Sequence, residues 1–396
     1  MSRQPGSPVA VLALYGGGFI LGATLDSFPA SSAYLVALHG FSDRQYGAIF
    51  IPQLIAAIAG AVAGASASRW VSLKRMWAGS LVSFLIAQIL LILCGGSAGL
   101  LSAETALAVL MVATAAFGFG FGFGGGPLNG LVARQFANSR NTAIAALHTC
   151  AGGGLAAAPY VFAQFSLAGH WAVGIFMLMG LTALALALTL IAPLDQGTRS
   201  QDTGSDVQPI RNKVFWILVI AAIAYALVEG TFSNWAVLFV QHDLALPPPV
   251  AAGALSLFWA GLTVGRLAVS VIALRVRPLG ILCVASLGMM GALLLVRAAD
   301  SSGSALTGFA VAGLACAGFF PMLVAFAAEG HPQQISWLAS MLTAALMTGV
   351  GIGSYAIGAL RASVSIRDLY AYAVLYPFIA IVAVMSASRA RVRSQT

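Results

Sequence analysis

Twelve long apolar stretches, separated by short polar breaks, fill most of the sequence. They lie at roughly residues 9–37, 45–67, 73–95, 104–131, 141–165, 170–193, 214–240, 249–273, 278–298, 304–328, 335–360 and 368–388. A helix needs about 20 apolar residues to cross a hydrocarbon core of about 30 Å, so each stretch can cross it once. Lipid-facing backbone must be hydrogen-bonded internally, and the alternating pattern of barrel strands is missing. The sequence therefore predicts an all-α integral membrane protein with twelve transmembrane helices.

The longest polar segment divides the twelve stretches into six and six. It covers residues 195–213, DQGTRSQDTGSDVQPIRNK, and its Gly, Ser, Asp and Gln content fits a solvated linker. Short basic turns stand at equivalent places in the two halves, SRWVSLKR at 68–75 and ALRVRPLG at 273–280. We therefore predict two pseudo-symmetric six-helix bundles, 1–194 and 214–396, joined by a cytoplasmic linker, 195–213.

The basic residues predict the orientation. If the N-terminus is cytoplasmic, 14 of the 19 Lys and Arg residues lie on the cytoplasmic side, four lie opposite and Arg266 lies within a span. Because positive loops mark the cytoplasmic side, we expect both termini there, in a bacterial-type inner membrane. The first stretch is too long for the core of a cleavable signal peptide. Positive loops beside anionic lipid headgroups account for the net charge of +8, so the bilayer is an expected partner and nucleic acid is not.

The residues that carry enzymatic chemistry form no pattern in this chain. The four Cys residues stand in apolar stretches at unrelated spacing, and the five His residues show no ligand spacing. No nucleophile, metal or cofactor motif is found, so we expect no enzyme, no metal and no cofactor. No loop is long enough to fold as a soluble sensor domain. We expect a monomer.

Two carboxylates stand inside apolar stretches, and each is in the first stretch of its half. Asp26 lies in GATLDSFPASS and Glu229 lies in AYALVEGTFSNW. An ionisable group within a span costs a few kcal/mol, so it is usually retained for a polar cavity, a partner or proton transfer. We predict that Asp26 and Glu229 couple transport to protons. In the alternative interpretation, Asp26 only accepts hydrogen bonds near the mouth of its span.

Polar and aromatic side chains around these spans predict a ligand site. Tyr225 precedes Glu229 by one helical turn, so the two share a face. An acid, a phenol, an amide and an indole can bind a polyol or sugar, or an amine-bearing cation. A hydrogen-bond network without a ligand is the alternative. The predicted substrate-binding residues are Tyr225, Glu229, Asn234, Trp235, Asn129 and His148.

Four basic residues are candidates for gating. Arg266 stands in the eighth stretch, where a guanidinium can snorkel or pair with a carboxylate, and binding of an anionic substrate is the alternative role. Arg69, Lys74 and Arg75 form a basic cluster after the second stretch, which is either a hinge or simple anchoring at the cytoplasmic side.

Glycines recur at helical spacing in the fourth stretch, FGFGFGFGGGPLNG. Gly118, Gly122 and Gly126 are four residues apart, so on a helix they share one smooth face. Small residues of this kind let a neighbouring transmembrane helix approach closely. We predict a packing face along all three glycines, and a moving or substrate-lining segment is the alternative.

Over essentially its whole length the chain resembles the major facilitator superfamily, and within it the fucose permease-like branch of proton-coupled sugar symporters. The matching stretches are LDSFPASSAYL with GFSDRQYG, LNGLVARQF with NTAIAALHTCAGGGLAAAP, YALVEGTFSNW, GLTVGRL and FFPMLVAF. The resemblance implies alternating access between two six-helix halves. It places Asp26 at the first-span acid implicated in proton coupling, and Glu229 at the seventh-span acid. The fourth span lacks the carboxylate that the fucose permease uses there.

These observations together predict a secondary active transporter. The main interpretation is proton-coupled symport of a small polar solute, such as a sugar or related metabolite. A proton-driven exporter of drugs or amphipathic metabolites is the alternative, because the spans are rich in aromatic and small apolar residues. A lipid-handling or non-transporting membrane protein is the third.

The Asp26→Asn variant tests the predicted role of the first-span acid. We expect it to lose accumulation driven by a proton gradient and to keep counterflow exchange, because a neutral side chain mimics only the protonated state. Uptake and exchange of a radiolabelled solute in proteoliposomes measure the two activities. If both activities disappear together, Asp26 serves folding or binding instead.

Overall fold

The computed structural model describes residues 7–67, 70–96, 100–194, 213–330 and 335–395. These residues form helices and no strands, and twelve helical segments are long and apolar enough to cross a membrane. The predicted all-α fold with twelve spans is therefore confirmed, and the chain is a multi-pass membrane protein. The spans are Pro8–His39, Asp43–Gly64, Leu73–Gly95, Ala103–Gln135, Thr142–Leu167, Trp171–Ile191, Lys213–Asn234, Pro248–Ile272, Pro278–Arg297, Ser302–Glu329, Met341–Leu360 and Ile366–Arg391.

The chain divides into two compact units, Met1–Gln201 and Asp202–Thr396, with six spans in each. The predicted linker, 195–213, lies outside the described residues except for Lys213, so its bounds stay a prediction. The helices of the N-terminal unit are α1 (Pro8–Ala30), α2 (Ser32–His39), α3 (Asp43–Ala48), α4 (Phe50–Ala67), α5 (Leu73–Gly95), α6 (Ala103–Gln135), α7 (Arg140–Leu167) and α8 (Trp171–Ile191).

The C-terminal unit repeats this arrangement with more interruptions. Its helices are α9 (Lys213–Asn234), α10 (Ala236–Leu238), α11 (Pro248–Ile272), α12 (Pro278–Arg297), α13 (Ser302–Cys316), α14 (Phe319–Gly330), α15 (Ile335–Leu360), α16 (Ile366–Ala373) and α17 (Leu375–Gln395). A π-helical turn, Phe239–Asp243, follows α10.

The tenth span is broken where the sequence predicted one continuous helix. Helix α13 ends at Cys316 and α14 begins at Phe319, with a turn at residues 317–318. Pro321 explains the break, because proline has no N–H for the carbonyl of Ala317 and its ring crowds that carbonyl. The helix of the seventh span ends at Asn234, whereas the sequence predicted an apolar stretch that continues to residue 240.

Glycines bring the same pairs of spans together in both units. In the N-terminal unit, Gly22 of the first span faces the carbonyl of Ala151 on the fifth. In the C-terminal unit, Gly349 of the eleventh span faces the backbone of Ile223 on the seventh. A side chain at either glycine would collide with backbone, which cannot move aside without shifting a helix. Because glycine has no side chain, these positions let the helices approach closely and so set the distance between them.

The second and fourth spans pack in the same way, as do the eighth and tenth. Gly122 lies against the carbonyl of Ala57, and Gly313 lies against the carbonyl of Phe258. Gly118 makes the equivalent contact with the carbonyl of Gln53. Gly126 was predicted to continue this face, and this prediction is wrong, because open space surrounds the position where its Cβ would stand. The packing face on α6 therefore ends at Gly122.

A buried ion pair joins the π-helical turn after the seventh span to the eleventh and twelfth spans. Asp243 pairs with Arg361 through two short contacts of 2.7 and 2.8 Å, and it also accepts the backbone N–H of Ile366 at 3.2 Å. Both partners are largely buried, so each depends on the other for its charge to be tolerated there. This pair fixes one end of the C-terminal unit.

Replacing Gly122 by alanine should destabilise the protein, because the new Cβ would overlap the Ala57 carbonyl. Overpacking of this kind costs about 1–3 kcal/mol and should lower the melting temperature of the purified protein. The control is Gly126→Ala in the same helix, where open space lets alanine raise helix propensity by up to about 1 kcal/mol. Equal melting temperatures for the two variants would contradict the packing described here.

Candidate functional site

Glu229 lies in α9, well inside the seventh span, and a tyrosine one turn earlier holds its carboxylate. The Tyr225 hydroxyl donates a hydrogen bond to Oε2 of Glu229. Tyr225 is fully buried, whereas Glu229 is partly exposed. The predicted shared face of these two residues is therefore present. One oxygen of the carboxylate is held in place by this hydrogen bond, while part of the residue's surface stays exposed.

An aromatic stack lies behind the tyrosine, at the break in the tenth span. The rings of Tyr225 and Phe319 are parallel within 9°, with centroids 5.0 Å apart. Phe320, which is partly exposed, lies next to them, with its ring centroid 6.4 Å from that of Tyr225. Because α14 begins at Phe319, both rings lie next to Tyr225, the tyrosine that bonds Glu229. Sequence reasoning had not assigned them a role, although the stretch FFPMLVAF was part of the resemblance.

Arg266 lies on α11 within electrostatic range of this acid. Its charge acts on Glu229, on Tyr225 and on the buried thiol of Cys316. Arg266 and Glu229 form no direct ion pair within the 4.0 Å contact distance. The buried Nε of Arg266 has no hydrogen-bond partner among the described residues. The guanidinium is thus close to the acid without being bonded to it.

The backbone explains how Arg266 reaches this position. Its neighbour Gly265 is buried, and a Cβ there would lie 2.5 Å from the Cβ of Ala317, in the break between α13 and α14. Gly318 packs against Val269, one turn further along α11. The eighth span therefore meets the tenth at its break. We call the residues Tyr225, Glu229, Arg266, Cys316, Phe319 and Phe320 the Glu229 cluster.

Asn234 and Trp235 were predicted to belong to this site. The structure shows Asn234 bonded to another helix and Trp235 buried. The amide of Asn234 donates to the hydroxyl of Ser354 on α15 at 2.7 Å, and that hydroxyl donates to the carbonyl of Val350. Trp235 is fully buried at the point where α9 ends. Both residues are enclosed within the C-terminal unit in this structure. Ser354 was missed because a lone serine in an apolar stretch gives no signal.

Asp26 has a more enclosed setting than Glu229. Only 1% of it is exposed, and its charge acts on the fully buried Tyr46 of the second span. The first-span acid therefore lies inside the N-terminal unit, beside a phenol from another span. Sequence reasoning did not single out Tyr46.

A buried amide ties three spans of the N-terminal unit near Asp26. Nε2 of Gln88 on α5 donates to the hydroxyls of Thr24 on α1 and Thr182 on α8, at 3.1 and 2.9 Å. Trp171 donates to the hydroxyl of Ser31 at 3.1 Å. Two hydroxyl groups of the first span, those of Thr24 and Ser31, thus accept hydrogen bonds from neighbouring helices, as polar side chains inside a membrane require.

The remaining candidate residues are spread over the N-terminal unit. The amide of Asn129 donates to the carbonyl of Gly125 at 2.8 Å, and His148 is exposed. Lys74 donates to the carbonyl of Ala192 near the end of α8 at 2.8 Å, and Arg75 is exposed. Arg69 lies outside the described residues. No group of three or more His, Cys, Asp or Glu that could hold a metal is found in the described segments.

The fold and sequence match a known transporter family. The family model of the Major Facilitator Superfamily matches residues 9–354. The chain therefore belongs to the major facilitator superfamily, and it is a membrane transporter, not an enzyme. Placement in the fucose permease-like branch stays a prediction. No curated protein matches the sequence.

Solved structures with the same fold include transporters of several solutes. A mutant of the nucleoside transporter NupG is 16% identical, with a TM-score of 0.78, covering 96% of this chain and 99% of its own. A D-xylose-proton symporter is 13% identical, with a TM-score of 0.75 and 96% coverage of both chains. A bacterial homologue of the human lysosomal transporter Spinster is 14% identical, with a TM-score of 0.75 and 98% coverage of both chains. At these identities the likeness establishes the fold.

Proposed function

We propose that this transporter is a proton-coupled symporter of a small polar solute, such as a sugar or related metabolite, and that Glu229 binds the coupled proton. Alternating access then moves solute and proton in the same direction. The observation that carries the proposal is the setting of Glu229 within a span. The residue is partly exposed, hydrogen-bonded by Tyr225 and not locked to an arginine.

A carboxylate in this position can make reorientation depend on a proton. Moving an ionised carboxylate through apolar surroundings costs several kcal/mol, and protonation removes the part of this cost that comes from the charge of the carboxylate. Tyr225 holds the carboxyl group in one orientation, so the group stays in place in either protonation state. A carrier that reorients readily only when Glu229 is neutral would couple the solute to the proton gradient.

The other candidate residues receive supporting roles in this proposal. Asp26 is a second proton-binding group, which its burial keeps from water in the described conformation. Asn234 and Trp235 shape the seventh span around Glu229, and Asn129 and His148 are the candidate solute contacts of the N-terminal unit. Lys74, Arg75 and Arg69 act in gating at the cytoplasmic side. We further propose a monomer in an inner membrane with both termini in the cytoplasm.

Aromatic rings beside the acid support a sugar-like solute. Sugars bind proteins through hydrogen bonds from their hydroxyls and by stacking of their apolar faces on rings. Phe320 is partly exposed next to the stacked pair of Tyr225 and Phe319. Two structures that share the fold are described as a D-xylose-proton symporter and a nucleoside transporter, which supports a hydrophilic solute by analogy.

Glu229→Gln should uncouple the solute from protons. In proteoliposomes with an internal pH dye, we expect wild-type protein to admit protons when a transported sugar or nucleoside is added outside. D-xylose, D-glucose, L-fucose and uridine serve as the solutes. The variant should lose this proton entry and keep exchange of labelled solute, because glutamine resembles a protonated glutamate.

The matched control is Glu329→Gln, which removes the same charge from the same unit. Glu329 is half-exposed and lies 3.8 Å from Arg391, near the end of α14, so proton coupling should survive. Proton entry that persists in Glu229→Gln would contradict the proposal. Proton movement opposite to the solute would favour the exporter alternative.

A further inference from the structure

The Glu229 cluster contains a cation whose hydrogen-bonding groups are not used. We propose that the solute is a small monocarboxylate with a ring, and that its carboxylate binds Arg266 when Glu229 is protonated. This inference rests on the proposed function and names the class of solute that the site takes. A sugar acid fits better than the neutral sugar considered above.

Arg266 has the capacity to bind an anion. A guanidinium carries five N–H donors in a planar fork that matches a carboxylate. None of the hydrogen bonds found in the described residues comes from the Arg266 side chain, and its buried Nε lacks a partner. By contrast, Arg361 of the same unit forms a two-contact pair with Asp243, and Arg391 donates to the carbonyl of Phe326 at 2.6 Å. The N–H donors of the Arg266 guanidinium are therefore available to bind a ligand.

Charge balance links the anion to the proton. When Glu229 is ionised, its negative charge offsets the positive charge of Arg266, and an incoming anion would add an unbalanced charge. When Glu229 is protonated, Arg266 becomes an uncompensated cation in apolar surroundings, which is strongly unfavourable. A bound monoanion restores neutrality. Proton and monocarboxylate should therefore bind together, and each should strengthen binding of the other.

The other groups around Glu229 do not alter this balance. Tyr225 on α9 and Cys316 on α13 interact with it, and both are fully buried and carry no charge in their ordinary protonated forms. Helix α15, which packs against α9, contains no Asp, Glu, Lys, Arg or His, and α17 carries such residues only from Arg389 onward. Charged residues near the ends of the other helices have partners of their own: Asp243 with Arg361, Asp368 with Arg297, and Glu329 with Arg391.

The aromatic side of the cluster favours a ring on the solute. Phe319 and Tyr225 are stacked, and the partly exposed Phe320 extends the same surface. Because Arg266 and Phe320 flank the break in the tenth span, a solute that engages both needs a carboxylate joined to a flat or ring-shaped body. Sugar acids and aromatic acids both meet this requirement, and the experiment separates them.

Melting temperatures of the purified full-length protein test the inference. The ligands are matched pairs, D-glucuronate with D-glucose and benzoate with benzamide, so that each acid is compared with a neutral compound of similar shape. A ligand that binds the folded state raises the melting temperature. We expect at least one acid to raise it, more at mildly acidic than at mildly alkaline pH, and its neutral partner to have no comparable effect.

Calorimetry on the acid that binds then counts protons and compares variants. Titrations in buffers of different ionisation enthalpy should show uptake of about one proton per carboxylate at mildly alkaline pH. Arg266→Gln should weaken binding by about 30-fold or more, as loss of one partner of a charged, hydrogen-bonded pair does. Arg266→Lys should keep part of the affinity. Glu229→Gln should bind the acid equally at both pH values without proton uptake.

Arg275→Gln is the matched control for Arg266→Gln. Arg275 is exposed just beyond α11, so its replacement should leave binding of the acid unchanged. Melting temperatures without ligand show whether each variant is folded. The inference is wrong if neither acid stabilises the protein more than its neutral partner, or if folded Arg266→Gln binds the acid normally. If D-glucose raises the melting temperature of the wild type but not of Glu229→Gln, and neither acid raises it, the proposed proton-coupled symport is supported. The proposal that the solute is a carboxylate is then wrong.

Discussion

An ionised carboxylate cannot remain inside a membrane span unless something nearby offsets its charge or its lost hydration. In the C-terminal unit, Glu229 receives a hydrogen bond from Tyr225 and the field of Arg266, without a direct ion pair. This arrangement keeps the charge tolerable and leaves both groups able to change partners. A tight pair such as Asp243 with Arg361 offers no such freedom, and its position at the end of a span suits a structural role.

Buried polar side chains have different surroundings in the two units. In the N-terminal unit, Gln88 forms hydrogen bonds with two threonines, and Asp26 is buried beside Tyr46. These polar groups therefore lie within the helix packing, away from solvent. In the C-terminal unit, the break in the tenth span lies next to Tyr225, which bonds Glu229, and the partly exposed Phe320 stands at the start of α14. Discontinuous helices recur at the binding sites of transporters, because unwound backbone makes room for polar contacts. We therefore propose that the solute and the proton bind chiefly in the C-terminal unit.

Close glycine contacts supply the rigid frame for this site. Gly313 and Gly349 let the backbones of neighbouring spans touch, and Gly122 and Gly22 do the same in the other unit. Van der Waals packing of this kind is a main source of helix association in lipid, where apolar side chains gain little by leaving a solvent that is already apolar. The precise approach of α11 to the tenth span at Gly265 places Arg266 near the acid.

The sequence by itself determined the twelve spans, the all-α fold and the family, because membrane thickness imposes a length and composition that hydropathy reveals directly. It also picked out Asp26, Glu229 and the shared face of Tyr225 and Glu229, since isolated acids and helical spacing are local signals. Only the tertiary structure decided that Asp26 is buried, that Gly126 lies outside the packing face, and that Arg266, Phe319 and Phe320 lie near the bonded pair of Tyr225 and Glu229. These contacts join residues far apart in the chain. They depend on helix breaks and backbone approach, which no local pattern of apolar residues encodes.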